Sequence, residues 1–364
     1  MYNNIHSVFT ATGSYIPERV VKNEEFLTRK FYNANKQIIT KPVAEITSKF
    51  EEITGIKERR YVTDDLVTSD IAYFSALDTL NSSGIDKETL DYIIVAHNFG
   101  DVKFDNRRSD FVPSLAARVK NMLGIINPST ICYDINFGCP GWLQGVIQAD
   151  FYIKSGLAKR IMVIGSETLS RISDPSDIDS MIYSDGAGSV ILEAHHSETP
   201  VGIITHAIRS DTLEYAKLLW MDKSYDPDYL GDDLFLKMLG HKLYKYALQT
   251  VPGLIKDCLE KVKITLTDIK KVLIHQANEK MDEEILNRIF SLYGIEENVA
   301  EKVKNIMPMT ISWLGNSSVA TLPTMYDLLL KGKLPDHNLS SGDLYVFASV
   351  GAGMNINCMV YKMP

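Results

Sequence analysis

The chain has 364 residues, 45% of them apolar, and a formal net charge of −8 at pH 7. That length supports a large core built as two domains or a duplicated one, and the acidic balance excludes non-specific nucleic-acid binding, which needs clustered Lys and Arg. Cys132, Cys139, Cys258 and Cys358 are few and irregularly spaced, which excludes a disulfide framework or a zinc knuckle and fits a reduced, cytoplasmic setting.

The first residues, Met1-Tyr2-Asn3-Asn4-Ile5-His6, lack the basic and apolar stretches of a signal peptide. No apolar run approaches the ~18 residues that a membrane span needs. Further along, Tyr92-Ile93-Ile94-Val95-Ala96 reads as a strand running into His97-Asn98, followed by a long polar loop, Phe99 to Asp110. A helix should start near Pro113-Ser114. The run Tyr133-Asp134-Ile135-Asn136-Phe137-Gly138-Cys139 is strand-like and stops at a glycine. Trp142 to Lys154 then carries apolar residues at helical spacing (Leu143, Val146, Ile147, Phe151). Cys139 therefore falls at or just before a helix N-terminus, where free N–H groups and the helix dipole favour a thiolate. A small buried core residue is the competing explanation.

Asp185-Gly186-Ala187-Gly188 reads as a tight turn packed backbone against backbone rather than a dinucleotide fingerprint. His195-His196 lacks a companion ligand at useful spacing, so no metal site is expected. Trp220 to Asp233 is acidic, aromatic and irregular in pattern. Lys271-Val272-Leu273-Ile274 is a second apolar strand running into a histidine, His275. Gly315-Asn316 opens another helix, which ends near Lys331.

These units echo one another in the same order and at closely matching offsets. The strand into His97 parallels the strand into His275, and Gly138-Cys139 parallels Gly315-Asn316. Asp185-Gly186-Ala187-Gly188 likewise parallels Val350-Gly351-Ala352-Gly353. A duplication into two α/β halves, 1–200 and 201–364, accounts for this. Chance likeness of short α/β units is the alternative. Related halves would bring Cys139 and Asn316 to equivalent helix starts on one cleft, with His275 at a neighbouring strand end.

Cys, His and Asn together form a thioester-handling set. A thiolate can take an acyl group from a thioester, while a neutral His and an Asn amide donate to a carbonyl oxygen that gains charge. Alone, His275 reads as structural and Asn316 as a helix cap. A cysteine hydrolase elbow would want Gly-x-Cys-x-Gly, but Phe137 occupies the first glycine position.

Asn136-Phe137-Gly138-Cys139-Pro140-Gly141, His275-Gln276-Ala277-Asn278 and Gly315-Asn316-Ser317-Ser318 resemble the active-site segments of the β-ketoacyl-ACP synthase III family. Thr54-Gly55-Ile56-Lys57-Glu58-Arg59-Arg60 and Asp174-Pro175 also fit, and the likeness runs from about Thr12 to Tyr361. The resemblance implies a duplicated thiolase-like fold of five layers, α-β-α-β-α, and a homodimeric acyltransferase serving fatty acid biosynthesis. By the same resemblance, Cys139 accepts the primer acyl group from acyl-CoA or acyl carrier protein. His275 and Asn316 then bond the carbonyl of a malonyl-type extender as it decarboxylates and condenses to a β-ketoacyl thioester. The backbone N–H groups of Cys139 and Ala352 would form the oxyanion hole. No metal or redox cofactor is implied, because the leaving carboxylate supplies the electrons.

The departures are also informative. Lys49 and Ile178 stand where housekeeping members stack the adenine of CoA between tryptophan and arginine, so a CoA-borne primer is less expected. Lys280 replaces the family's carrier-contacting arginine, keeping the charge but losing the bidentate fork, and Arg288 could add to that patch. The Phe99–Asp110 loop and the span between His275 and Asn316 look enlarged. Two alternatives follow: a specialised ketosynthase joining β-ketoacyl and acyl thioesters, as for dialkylresorcinols, and a catalytically silent partner subunit. An acyl hydrolase on the same fold is a third.

Overall fold

The computed structural model describes residues 4–364. Two sheets sandwich a shared layer of helices. The first sheet runs, edge to edge, Ile5–Tyr15, Asp185–His196, Arg160–Thr168, Tyr92–Ala96 and Ile131–Ile135. The second runs Gly202–Ser210, Asn355–Lys362, Leu344–Gly351 and Ile269–Ile274. Taken in those orders, both sheets pair antiparallel, antiparallel and then parallel. The first adds one more parallel strand, Ile131–Ile135, as an edge. In the second half, the chain before Asn316 forms the helix Val299–Ile306 instead.

Helices Gly141–Lys154 and Thr321–Leu330 fill the space between the sheets. Both are apolar on nearly every side, the pattern of a helix enclosed by protein. Trp142, Val146, Met325 and Tyr326 pack there with Phe9, Phe347 and Tyr361 from the two sheets. The Phe9 and Tyr361 rings stack at 4.7 Å between centroids, an arrangement worth about 0.5–1.5 kcal/mol beyond area burial. Thr68–Ser83 and Leu115–Met122 cover the outer face of the first sheet. Gly240–Glu260 and Glu279–Leu292 cover the outer face of the second. The result is the five-layered α-β-α-β-α thiolase-like arrangement.

One local expectation changes. Asp185-Gly186-Ala187-Gly188 is the start of a strand, not a tight turn. Its glycine is explained by proximity: a Cβ on Gly188 would lie 2.6 Å from the backbone nitrogen of Thr324 on the central helix. The Trp220–Asp233 region is irregular from 223 to 233, as its pattern suggests, and its flanks, Leu219–Asp222 and Phe235–Met238, pair antiparallel. A fully buried Lys237 pins this hairpin, 2.5 Å from Asp174 and 3.2 Å from Asp177, with its ammonium over the Tyr225 ring.

Candidate active site

Cys139 lies in the turn between the strand Ile131–Ile135 and the helix Gly141–Lys154, which Pro140 caps. Gly138 makes that turn at φ +68°, and its N–H donates to the Asn98 side-chain oxygen at 2.9 Å. A Cβ on Gly138 would sit 2.7 Å from the Ala352 nitrogen, and one on Gly351 would sit 2.5 Å from the Cys139 nitrogen. The two loops therefore touch backbone to backbone, which only glycine permits. This contact brings together the two main-chain N–H groups expected to form the oxyanion hole.

His275 follows the strand Ile269–Ile274, and its N–H donates to the Ala348 carbonyl at 2.9 Å. The rest of its motif is scaffolding. The buried Gln276 amide accepts from Thr310 and Ile311 N–H groups at 2.8 and 3.0 Å and donates to the Pro308 carbonyl at 2.7 Å. Asn278 caps the helix Glu279–Leu292 by accepting from Met281 N–H. Gln276 thus ties the histidine strand to the segment that leads into Asn316.

The backbone of Asn316 is held on both sides, accepting from Ser184 N–H at 2.8 Å and donating to the Ile182 carbonyl at 3.0 Å. Its side-chain oxygen accepts from Ser318 N–H at 2.8 Å, which leaves the NH2 end free to donate. Cys139, His275, Asn316, Gly351 and Ala352 line one cavity of about 1490 Å³, above the usual range for small-molecule sites, ~300–1,000 Å³. Its wall is largely apolar, with Ile46, Phe50, Ile178, Leu236 and Met238 among the contributors.

Electrostatics alter one expectation. Enclosure by protein pushes the Cys139 thiol up to about 11, against the opposing pull of the Ser318 hydroxyl. The helix start alone therefore does not leave the free enzyme with a standing thiolate. Burial lowers His275 to about 4, with the Ser318 backbone acting the other way, so the ring is neutral at pH 7. Its Nδ1 is buried without a hydrogen-bond partner. A neutral imidazole and an amide NH2 can donate to a developing oxyanion without adding net charge.

Of the remaining expected residues, Lys49 and Ile178 line the cavity, whereas Lys280 and Arg288 do not. Lys49 lines the cavity and pairs with Glu52 at 2.8 Å. Ile178 also lines it, offering an apolar face in place of a stacking cation. Lys280 is exposed, 3.9 Å from Glu52. Arg288 is held by Glu284 at 2.9 Å and donates to the Leu248 carbonyl. Sequence reasoning missed Ser318, whose hydroxyl donates to the Cys139 sulfur at 3.3 Å, and Asn98, which lines the cavity beside it. It also missed Lys41 and His241, which line the cavity with Lys49 and with the carboxylates of Glu45 and Glu52. No cluster of three or more metal-ligating side chains occurs among the described residues.

Comparison with known proteins adds to this geometry. The family description 3-oxoacyl-[acyl-carrier-protein (ACP)] synthase III matches residues 133–212, and its C-terminal counterpart matches residues 259–363. The chain is 30% identical over 362 residues to a beta-ketoacyl-[acyl-carrier-protein] synthase III of Chelativorans sp., covering 98% of this chain and 99% of that one. Identity to the Staphylococcus aureus protein of the same description is 31% over 352 residues, 96% of each. Among solved structures, the Thermus thermophilus synthase III superposes with a TM-score of 0.79 at 26% identity, covering 98% of this chain and 99% of that one. Xanthomonas campestris OleA shares the fold at 16% identity and a TM-score of 0.73, covering 100% and 99%.

Proposed function

The chain belongs to the β-ketoacyl-[acyl-carrier-protein] synthase III family of acyl-condensing transferases, and we propose that Cys139, His275 and Asn316 carry out its reaction. In the first half-reaction the Cys139 sulfur attacks the carbonyl carbon of an acyl thioester. The S–C bond forms, the donor's thiol leaves, and the proton lost by Cys139 ends on that leaving sulfur. The N–H groups of Cys139 and Ala352 stabilise the tetrahedral oxyanion. In the second half-reaction the neutral His275 and the Asn316 NH2 bond the thioester oxygen of a malonyl-type extender. The bond to its carboxylate breaks, CO2 leaves, and the electron pair forms the new C–C bond to the acyl-cysteine carbonyl. Cys139 departs as thiolate and takes up a proton.

The observation that carries this reading is that the three side chains, drawn from distant parts of the chain, line a single cavity. That placement also counts against a silent partner subunit. Two related halves, 1–200 and 201–364, are part of the proposal, supported by the repeated order and pairing of the two sheets. An acyl carrier protein is the preferred acyl donor, because Lys49 and Ile178 offer no adenine stack. Lys280 and Arg288 are its proposed contacts, joined by Lys41 and His241. Their nearby partners Glu52 and Glu284 would have to release them. Homodimerisation is proposed through the edge strand Ile131–Ile135, whose outer side pairs with no strand among the described residues. Residence in the cytoplasm is proposed from the four free cysteines. No described helix is long and apolar enough to cross a membrane.

Intact-mass spectrometry after incubation with acyl-ACP, and separately with acyl-CoA, tests the assignment. A single acyl adduct is expected, formed better from the carrier protein and absent in Cys139→Ala. Equal loading of Cys139→Ala would overturn the nucleophile assignment. His275→Ala should acylate and fail to condense, and intact condensation in that variant would remove its role.

A further inference from the structure

Behind the Cys139 sulfur runs a chain of hydrogen bonds that the condensation chemistry leaves unused. Ser318 donates to the sulfur at 3.3 Å. The Ser318 oxygen in turn accepts from the Asn98 side-chain nitrogen at 3.2 Å. That same nitrogen donates to the Glu167 carboxyl at 2.7 Å, and the Asn98 main-chain N–H donates to it at 3.1 Å. The amide orientation is unambiguous, because the Asn98 oxygen accepts from Gly138 N–H beside the nucleophile. Asn98 thus grips the cysteine turn with one end and the serine with the other.

Three features separate this chain from ordinary loop packing. Ser318 holds a positive φ of 53°, a conformation non-glycine residues rarely adopt and one that collects at functional sites. Glu167 is a fully buried carboxyl with no cationic partner in its hydrogen-bond set, which consists of Asn98 alone. The hydrogen bonds also have a direction. With Asn98 N–H occupying one lone pair of the serine oxygen, the serine's own proton is left for sulfur.

The geometry points to a device that sets the proton affinity of Cys139: Ser318 stabilises the thiolate directly, Asn98 aims Ser318, and Glu167 opposes ionisation through its charge. Asn98 and Glu167 are positioning residues, because neither touches the sulfur. The inference rests on Cys139 being the nucleophile. The titratable groups around the thiol are Glu167, His275 and Tyr183, with Asp179 behind Tyr183 and with His97 and Asp185 facing Glu167. Burial raises Glu167 to about 7, so its charge changes near neutral pH. As Glu167 ionises, Cys139 becomes harder to ionise, because the first negative charge in the site is the carboxylate's.

The test is the pH dependence of iodoacetamide alkylation at Cys139, read by peptide mass mapping on the full chain. Ser318→Ala should raise the midpoint by about one unit, the size expected for loss of a hydrogen bond to a charged sulfur. Glu167→Gln keeps an acceptor for Asn98 and removes the charge, so the midpoint should fall by about half a unit or more. Asn98→Ala should raise it, and Asn98→Ala/Ser318→Ala should go no higher than Ser318→Ala alone, because both act along one path. An upward shift in Glu167→Gln, or an unshifted Ser318→Ala, overturns the inference. If Asn98→Ala does not fold, the opposite signs of the Ser318 and Glu167 variants still decide it. Alkylation needs no acyl transfer, so failed condensation with these shifts intact would count against the proposed reaction alone.

Discussion

The side-chain oxygen of Gln276 accepts the backbone N–H of Thr310 at 2.8 Å, joining the residue after His275 to the segment that delivers Asn316. Both groups are buried, so neither can turn to water for compensation. The spacing between the two proposed donors is therefore fixed through one amide.

Gln276→Ala should consequently separate the two half-reactions. It leaves the Thr310 and Ile311 N–H groups unpartnered, at about 1–3 kcal/mol for a buried unsatisfied donor. Denaturant unfolding should show that loss. Single-turnover assays should show acylation of Cys139 preserved and condensation reduced at least tenfold, since displacement of catalytic donors by ~1 Å is costly.

Gly351→Ala tests the backbone contact between the two loops. The new Cβ would lie 2.5 Å from the Cys139 nitrogen and 3.0 Å from its Cβ, so the loops must part. Acylation should fall by about 10²–10³-fold, as when one oxyanion-hole donor is lost. A near-normal acylation rate would show that the hole lies elsewhere.

The buried Lys237 is a structural prediction. Lys237→Met strips Asp174 of its 2.5 Å partner in a site closed to solvent. Breaking such a pair costs roughly 3–5 kcal/mol, because a charge is left uncompensated. Neutralising the partner as well, in Lys237→Met/Asp174→Asn, keeps an acceptor for Ser224 and Ser176 and should recover much of the loss. Chemical denaturation of the two variants distinguishes these outcomes.

Stability should respond to pH through two buried groups of opposite behaviour. Glu167 is raised to about 7 by burial, from a usual 4.5. Its contribution is therefore fully present below about pH 4.5 and is lost as pH rises through 7. His275 is lowered to about 4 from 6.5, so the unfolded chain takes up its proton first. Stability falls as pH drops from about 6.5 towards 4. Glu167→Gln should be more stable than the parent at pH 8, by up to about 3 kcal/mol, and the gap should close below pH 4.5. Thermal unfolding at several pH values measures both limbs.

Much of the architecture could be read from the chain because its signals are local. The apolar strand into His275, the glycine turn at Cys139 and the helix start at Asn316 each lie within about ten consecutive residues. Their recurrence in order pointed to one cleft. The parts that escaped are those whose partners are far apart in sequence. Nothing near Asn98 announces Glu167 or Ser318, and nothing near Lys237 announces Asp174. The proton affinity of Cys139 was misjudged because enclosure is set by the assembled cavity wall, whereas a helix start is visible in the sequence. The strand at Asp185 passed for a turn because its glycines answer to the distant Thr324 backbone rather than to local curvature.

The open margin of the first sheet has a bearing on how fast such a site can be built. Ile131–Ile135 ends four residues before the nucleophile, and its outer side pairs with no strand among the described residues. If an identical strand from another copy docks there, subunit pairing would tighten the turn that presents the sulfur. Freshly made, dilute chains would then gain reactivity in step with association, and concentration itself would act as the timer for activation.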